Sequence, residues 1–185
     1  MIKMNELIVS KTTKDKIIEY ITYFFIYSFL GWILETIYAI LINGYSVKRG
    51  FLYGPICPIY GFGAVILIMA TKNLYGKPFK KFLIATIAFT VFEYIVSYLL
   101  EVLFGLRWWD YTNDFLNING RVSLLYSIFW GIIGLFLLEK LHPFIQNIIQ
   151  KATAKCKFNI QYIVAIVLII AVIIDTVFSA IRYLN

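Results

Sequence analysis

A chain of 185 residues that is 61% hydrophobic, with a mean hydropathy of +0.81, cannot present a polar surface all round, which excludes a soluble globular enzyme or binding domain. The formal net charge of +7 would suggest a nucleic-acid partner, but the basic residues sort by loop, so no nucleic acid is expected. The composition instead predicts an all-α fold: a polytopic integral membrane helical bundle with five transmembrane helices, forming a single membrane domain over residues 1–185.

The expected helices cover about 17–42, 51–71, 82–104, 122–138 and 160–184, each long enough for a ~30 Å hydrocarbon core. The first follows a mostly polar stretch, is longer than a signal-peptide core and has no small-x-small cleavage site behind it, so it should remain uncleaved. Near its end come Gly31, Trp32, Glu35 and Tyr38, before the Asn43-Gly44 stop. Glu35 lies about 12 Å below that stop at ~1.5 Å per residue, too deep to reach water freely. It can either pair with an arginine in helix packing or face a solute.

Lys48 to Gly63 is the least helix-like part of any expected span, with prolines at 55 and 58 and glycines at 50, 54, 61 and 63. Pro58 cannot donate to the Gly54 carbonyl, so this backbone is either a loose opening turn or a re-entrant piece lining a cavity. Its amide groups beside Arg49 could also attract an anion.

The third span, EYIVSYLLEVLFGLRWWDY, carries Glu93, Ser97 and Glu101 at four-residue spacing, which puts them in one slowly drifting stripe. An ionised carboxylate at bilayer depth costs at least a few kcal/mol, so the stripe should face other helices, a partner charge or a watered cavity. Arg107, Trp108, Trp109, Asp110 and Tyr111 follow as an interfacial girdle.

The fourth span opens after Asn119, Gly120 and Arg121, and contains Trp130, Gly131 and Gly134, whose glycines favour close helix approach. An amphipathic helix over about 143–156 is expected to lie on the cytoplasmic headgroups, although it could also dock a partner. The fifth span places Asp175, Ser179 and Arg182 on one face.

Twelve lysines fall in the N-terminal segment, the 72–81 loop and the 140–157 region, whereas Lys48, Arg49, Arg107, Arg121 and Arg182 fall on the other side. The positive-inside bias then predicts a cytoplasmic N-terminus and an extracytoplasmic C-terminus. Cys57 and Cys156 are assigned to opposite sides, there is no CxxC, and His142 is the single histidine, read as solvated ahead of Pro143. No metal site and no cofactor are expected.

The segments GWILETIY, RGFLYGPICPIYGFG, EYIVSYLLEVLFGLRWWDY and NGRVSLLYSIFWGIIG, from Gly31 to Gly134, resemble the bacterial membrane family of putative ABC-transporter type IV permeases. The resemblance implies a multi-pass, permease-like protein of the bacterial cytoplasmic membrane and marks as structural motif positions Gly50, Gly54, Pro55, Pro58, Tyr60, Gly61, Trp108, Trp109, Tyr111, Asn119, Gly120, Trp130 and Gly131. It brings no substrate with it. The chain contains no ATPase, and its short 72–81 loop has no recognisable coupling-helix pattern, so an ABC motor would be a separate polypeptide or other membrane subunit and the chain would form a homo-oligomer.

The expected function is transport of a small polar or charged solute bound in an outward-facing cavity by Glu35, Arg49, Glu93, Glu101, Arg107, Asp110, Arg121 and Asp175, with no catalytic residues. Two other classes stay open. One is a membrane-embedded enzyme acting on lipid-linked substrates; the other is a non-transporting scaffold or accessory subunit whose charges only pack.

Overall fold

The computed structural model describes residues 12–45, 48–153 and 158–184. Lys3, Lys11, Lys155, Cys156 and Lys157, used above for sidedness and thiol pairing, lie outside the described residues. Helices α1 (Thr13–Asn43), α2 (Pro58–Thr71), α3 (Pro78–Phe104), α4 (Leu124–Phe136), α5 (His142–Thr153) and α6 (Phe158–Leu184) make up the fold, with no strand among the described residues.

Four helical runs are long and apolar enough to cross a membrane: Thr13–Asn43, Pro78–Phe104, Leu124–Ala152 and Ile160–Leu184. The second of the five expected spans, 51–71, falls short. Its helix begins at Pro58 rather than at residue 51, and its 14 residues rise only about 21 Å against a core of ~30 Å. Residues ahead of prolines are disfavoured in the α region, and Gly50 takes φ +84°, so residues 51–57 stay non-helical.

Two helices start earlier than expected. Thr12 caps α1 by accepting from Asp15 N while the Asp15 carboxylate accepts from Thr12 N, a reciprocal box written in the sequence as T-x-x-D. Pro78 opens α3 from a first-turn position, where its missing N–H is no loss.

A further correction concerns residues 137–142. A break was expected between the fourth span and the amphipathic helix, yet α4 runs into α5 through a π-helical segment, Leu137–Leu141. Pro143 cannot donate to the carbonyl four residues back, and its ring would crowd that turn. Widening the preceding turn, with His142 N–H bonded to Leu137 O, accommodates it without ending the helix.

Helix pairing relies on small residues. A Cβ on Gly31 would enter the Tyr60 ring, and one on Gly61 would strike Ser28 Oγ, so α1 and α2 meet backbone to side chain. Gly131 faces Thr86 and Phe82, and Gly134 faces Ala85, which joins α3 to α4 in the same way. Tyr23, Tyr27, Leu67, Ala85, Leu138 and Ile145 belong to the shared core, while Leu41, Ile87, Phe136 and Ile163 point outward, as lipid-facing positions must.

His142 is half-buried against Tyr23 and Tyr27 of this core, where a freely solvated residue was expected. Its Nδ1 lies 3.0 Å from Tyr27 Oη and its ring stands edge-on to Tyr23 at 4.8 Å.

Candidate functional site

Glu93, 7% exposed, and Ser97, 4% exposed, face the protein from α3, while Leu99 and Leu103 point away. Around them the charges separate into three groups at the end of the bundle that carries the 48–57 segment, the 105–123 loop and the end of α6.

Glu93 heads the first group. It accepts from Tyr111 Oη at 3.1 Å, and the Trp130 indole faces the same carboxylate without hydrogen-bonding geometry, leaving Glu93 Oε2 and Trp130 Nε1 both buried without a partner. Trp130 stacks edge-on against Tyr60 and Phe89, each at 6.1 Å between centroids. Tyr60 in turn donates its hydroxyl to Glu35 on α1. Two carboxylates from α1 and α3 are thus gathered around Tyr60 and Trp130, and among the described residues neither has a cationic partner. The arginine pairing weighed for Glu35 is therefore absent from these contacts. Cys57, 4% exposed, closes this group on the α2 side and donates its backbone N–H to Ser28 O at 2.9 Å.

The second group is a neutralised rim. Arg121, whose side chain is only 11% exposed, meets Glu101 at 2.6 Å as an ion pair without linear hydrogen-bond geometry, and donates to Ser97 Oγ at 3.2 Å. Its guanidinium also lies over the rings of Tyr94 and Tyr98. Arg107 lies 3.9 Å from Glu101, 3.4 Å from Asp110, and donates to Asn119 O at 2.7 Å.

The loop carrying these residues is folded on itself. Tyr111 N–H donates to Gly120 O, Trp109 Nε1 to Arg121 O, and Asn119 Nδ2 to Tyr94 Oη. Asp110 accepts from both the backbone N–H and the hydroxyl of Thr112, and these bonds hold its carboxyl below the usual carboxylate range. Burial, then the Glu93 charge, push the Tyr111 phenol up, so it acts as a donor to that carboxylate.

The third group lies on α6. Asp175 uses both carboxylate oxygens on backbone, accepting from Tyr53 N at 2.8 Å and Gly54 N at 2.7 Å, with Ser179 Oγ also donating at 3.0 Å. Arg182 donates to Phe51 O at 2.8 Å and lies over the Tyr53 ring, which Lys48 also approaches at 4.0 Å.

Of the eight residues expected to bind solute, Glu35 and Glu93 share one group, Glu101, Arg107, Asp110 and Arg121 share a second, and Asp175 stands in a third. Arg49 is half-buried, and its Nε is buried without a hydrogen-bond partner among the described residues. The motif residues Tyr60, Trp130 and Tyr111 turn out to surround buried Glu93 and half-buried Glu35. Gly54 admits Asp175, and a Cβ on Gly120 would strike Thr112 and Asp110. Tyr94, Tyr98 and Tyr53, which cover the arginines, were not singled out by sequence; aromatic residues next to a charge stripe were the available signal.

At the opposite end, Lys81 pairs with Glu139 at 2.6 Å, and Tyr23 donates to Glu19 at 2.7 Å. No group of three or more potential metal-binding side chains occurs among the described residues.

A family model described as "Putative ABC-transporter type IV" matches residues 22–180, extending past the Gly31 to Gly134 resemblance to include α6. No curated protein and no solved structure matches the chain.

Proposed function

Since the chain belongs to the putative ABC-transporter type IV family and is a multi-pass membrane protein, we propose that it is the membrane-embedded component of a transport system and binds a small, positively charged solute or a proton at Glu35 and Glu93. The observation that carries this is the pairing pattern. Glu101 meets Arg121, and Asp175 is taken up by backbone N–H groups, but Glu35 and Glu93 are held only by phenol hydroxyls. A buried carboxylate, Glu93, beside a half-buried one, Glu35, with no cation between them is costly in a low-dielectric interior, and a cationic group arriving there relieves that cost. Tyr60, Tyr111 and Trp130 position the carboxylates.

The arginines form the approach to this site, with Arg49 available to an anionic part of the solute. The site opens toward the extracytoplasmic side, the N-terminus lies in the cytoplasm, and the short α2 with its non-helical lead of residues 51–57 completes a fifth crossing. The host is a bacterial cytoplasmic membrane. A separate ATPase and a second copy of the chain complete the transport system.

The test is thermal stabilisation of the purified protein by inorganic cations, amino acids and small amines, in wild type and in Glu93→Gln and Glu35→Gln. At least one cationic class is expected to raise the melting temperature of wild type and to lose that effect in both variants. Equal stabilisation of all three proteins would overturn the assignment.

The Glu101–Arg121 pair favours a packing role at the rim. Removing one partner strands a charge, at a cost of roughly 3–5 kcal/mol for a fully buried pair and less here because Glu101 is partly exposed. The matched variant Glu101→Leu with Arg121→Leu should regain the stability that either single change loses. If it also retains ligand binding, the rim is scaffold only.

A further inference from the structure

Helix α6 is joined to the bundle differently from the others. Its contacts with α1 are few, whereas its last three turns hold the non-helical 51–54 segment by directional polar bonds. The Asp175 carboxylate grips two successive backbone N–H groups, Tyr53 and Gly54, one with each oxygen, and Gly54 allows the approach because a Cβ there would stand 3.0 Å from Oδ2. About two helix turns on, Arg182 holds Phe51 O and lies against the Tyr53 ring, while Tyr183 stacks on Phe51 at 5.1 Å. Charge-assisted bonds of this kind are strong when made, yet each can be exchanged for water at a membrane surface, unlike the interlocked α1–α2 and α3–α4 contacts.

The gripped segment is short and leads directly to the carboxylate group. Three residues beyond Gly54 is Cys57, buried and bonded through its N–H to Ser28 O, and three further is Tyr60, which binds Glu35. Gly50 folds back so closely that a Cβ would lie 2.9 Å from Cys57 Sγ, so residues 50–57 form a strap over that thiol. Granted the carboxylate site proposed above, on which this inference rests, we infer that Asp175 and Arg182 are the catch of a strap: release of residues 51–54 from α6 opens the path past Cys57 to Glu35 and Glu93. Asp175 and Arg182 are then positioning residues that govern access to the site and make no contact with solute. Ser179 keeps the Asp175 carboxylate aligned by its own bond to Oδ1.

Cys57 provides the readout. With Cys156 replaced by serine, Cys57 is the sole thiol, and its reaction with a membrane-impermeant maleimide reports strap opening. Asp175→Asn sets an amide NH2 against one of the two backbone donors, and Arg182→Gln removes both the bond to Phe51 O and the cation over Tyr53. Each is expected to accelerate labelling about tenfold (1.4 kcal/mol per decade in the opening equilibrium), while Lys81→Gln, at the far end, leaves the rate unchanged. Tyr53→Ala keeps both N–H bonds to Asp175 and should accelerate labelling by a smaller factor, which gives a reading even if Asp175→Asn does not fold. Unchanged labelling in Arg182→Gln and Tyr53→Ala, or equal acceleration in Lys81→Gln, would overturn the strap. The labelling rates are independent of solute binding, so loss of the carboxylate-site proposal would leave this result standing, and the reverse also holds.

Discussion

Gly44 and Gly120 show how one residue type carries two different constraints. Both adopt positive φ, +75° and +66°, yet around Gly44 a Cβ would meet open space, whereas at Gly120 it would strike the side chains of Thr112 and Asp110. An L side chain in the left-handed region costs about 1–2 kcal/mol wherever it stands, so Gly44→Ala should show that cost alone. Gly120→Ala should add to it by breaking the Thr112–Asp110 bonds and shifting Asn119, whose carbonyl holds Arg107. Thermal melts of the two variants check this: equal losses would mean that the 105–123 loop does not depend on its packed turn. The same residue scale explains why Glu93 and Glu101 differ, although both come from one stripe. Only Glu101 is one helix end closer to a loop that can deliver an arginine.

Between elements, contact is decided by where side chains are missing. The sequence places Gly31 on the first span and Tyr60 on the second, but the fact that one accepts the ring of the other follows only from the α1–α2 crossing. Gly31→Ala is expected to cost about 1–3 kcal/mol through overpacking, and to weaken binding at the carboxylate group as well, because Tyr60 must move away from Glu35. Gly76→Ala, also at positive φ but with nothing near its Cβ, should lower stability without touching ligand binding. A Gly31→Ala protein as stable and as responsive to ligand as wild type would refute the α1–α2 interlock. The π-helical join at Leu137–Leu141 belongs to this scale too. Read locally, Lys140, His142 and Pro143 suggest a break, but burial of Leu137, Leu138 and Ile145 against α1 and α2 keeps the helix continuous across the proline.

Across the whole molecule, the loops that share an end are fixed by contact. Phe51 packs its ring against Phe104, Trp108 and Tyr183, which brings the 48–57 segment, the 105–123 loop and the end of α6 together, while Lys81–Glu139 lies at the other end. That grouping agrees with the sorting of basic residues, so the lysine-rich end is expected to face the cytoplasm. Cysteines introduced at Asn113 and at Tyr75, in a background without native thiols, should react with an impermeant reagent from outside at position 113 and not at 75. The opposite pattern would invert the molecule and, with it, the direction from which Glu93 is reached.

The sequence by itself determined the class, four of the five expected spans and the family, because hydrophobic length and charge sorting are properties of a chain in a bilayer and need no tertiary contact. It also identified the acids and arginines as one population, since an ionisable residue within an apolar span stands out wherever it later packs. Pairing was settled only by tertiary structure. That Glu101 meets Arg121 and not primarily Arg107, that Asp175 is taken up by the backbone of residues 53 and 54, and that Glu35 and Glu93 share Tyr60 and Trp130 without a cation depend on helix crossings and on the fold of the 105–123 loop. Such contacts join residues up to 122 positions apart, and charge attraction between them is as favourable for several partners as for one until packing sets the distances.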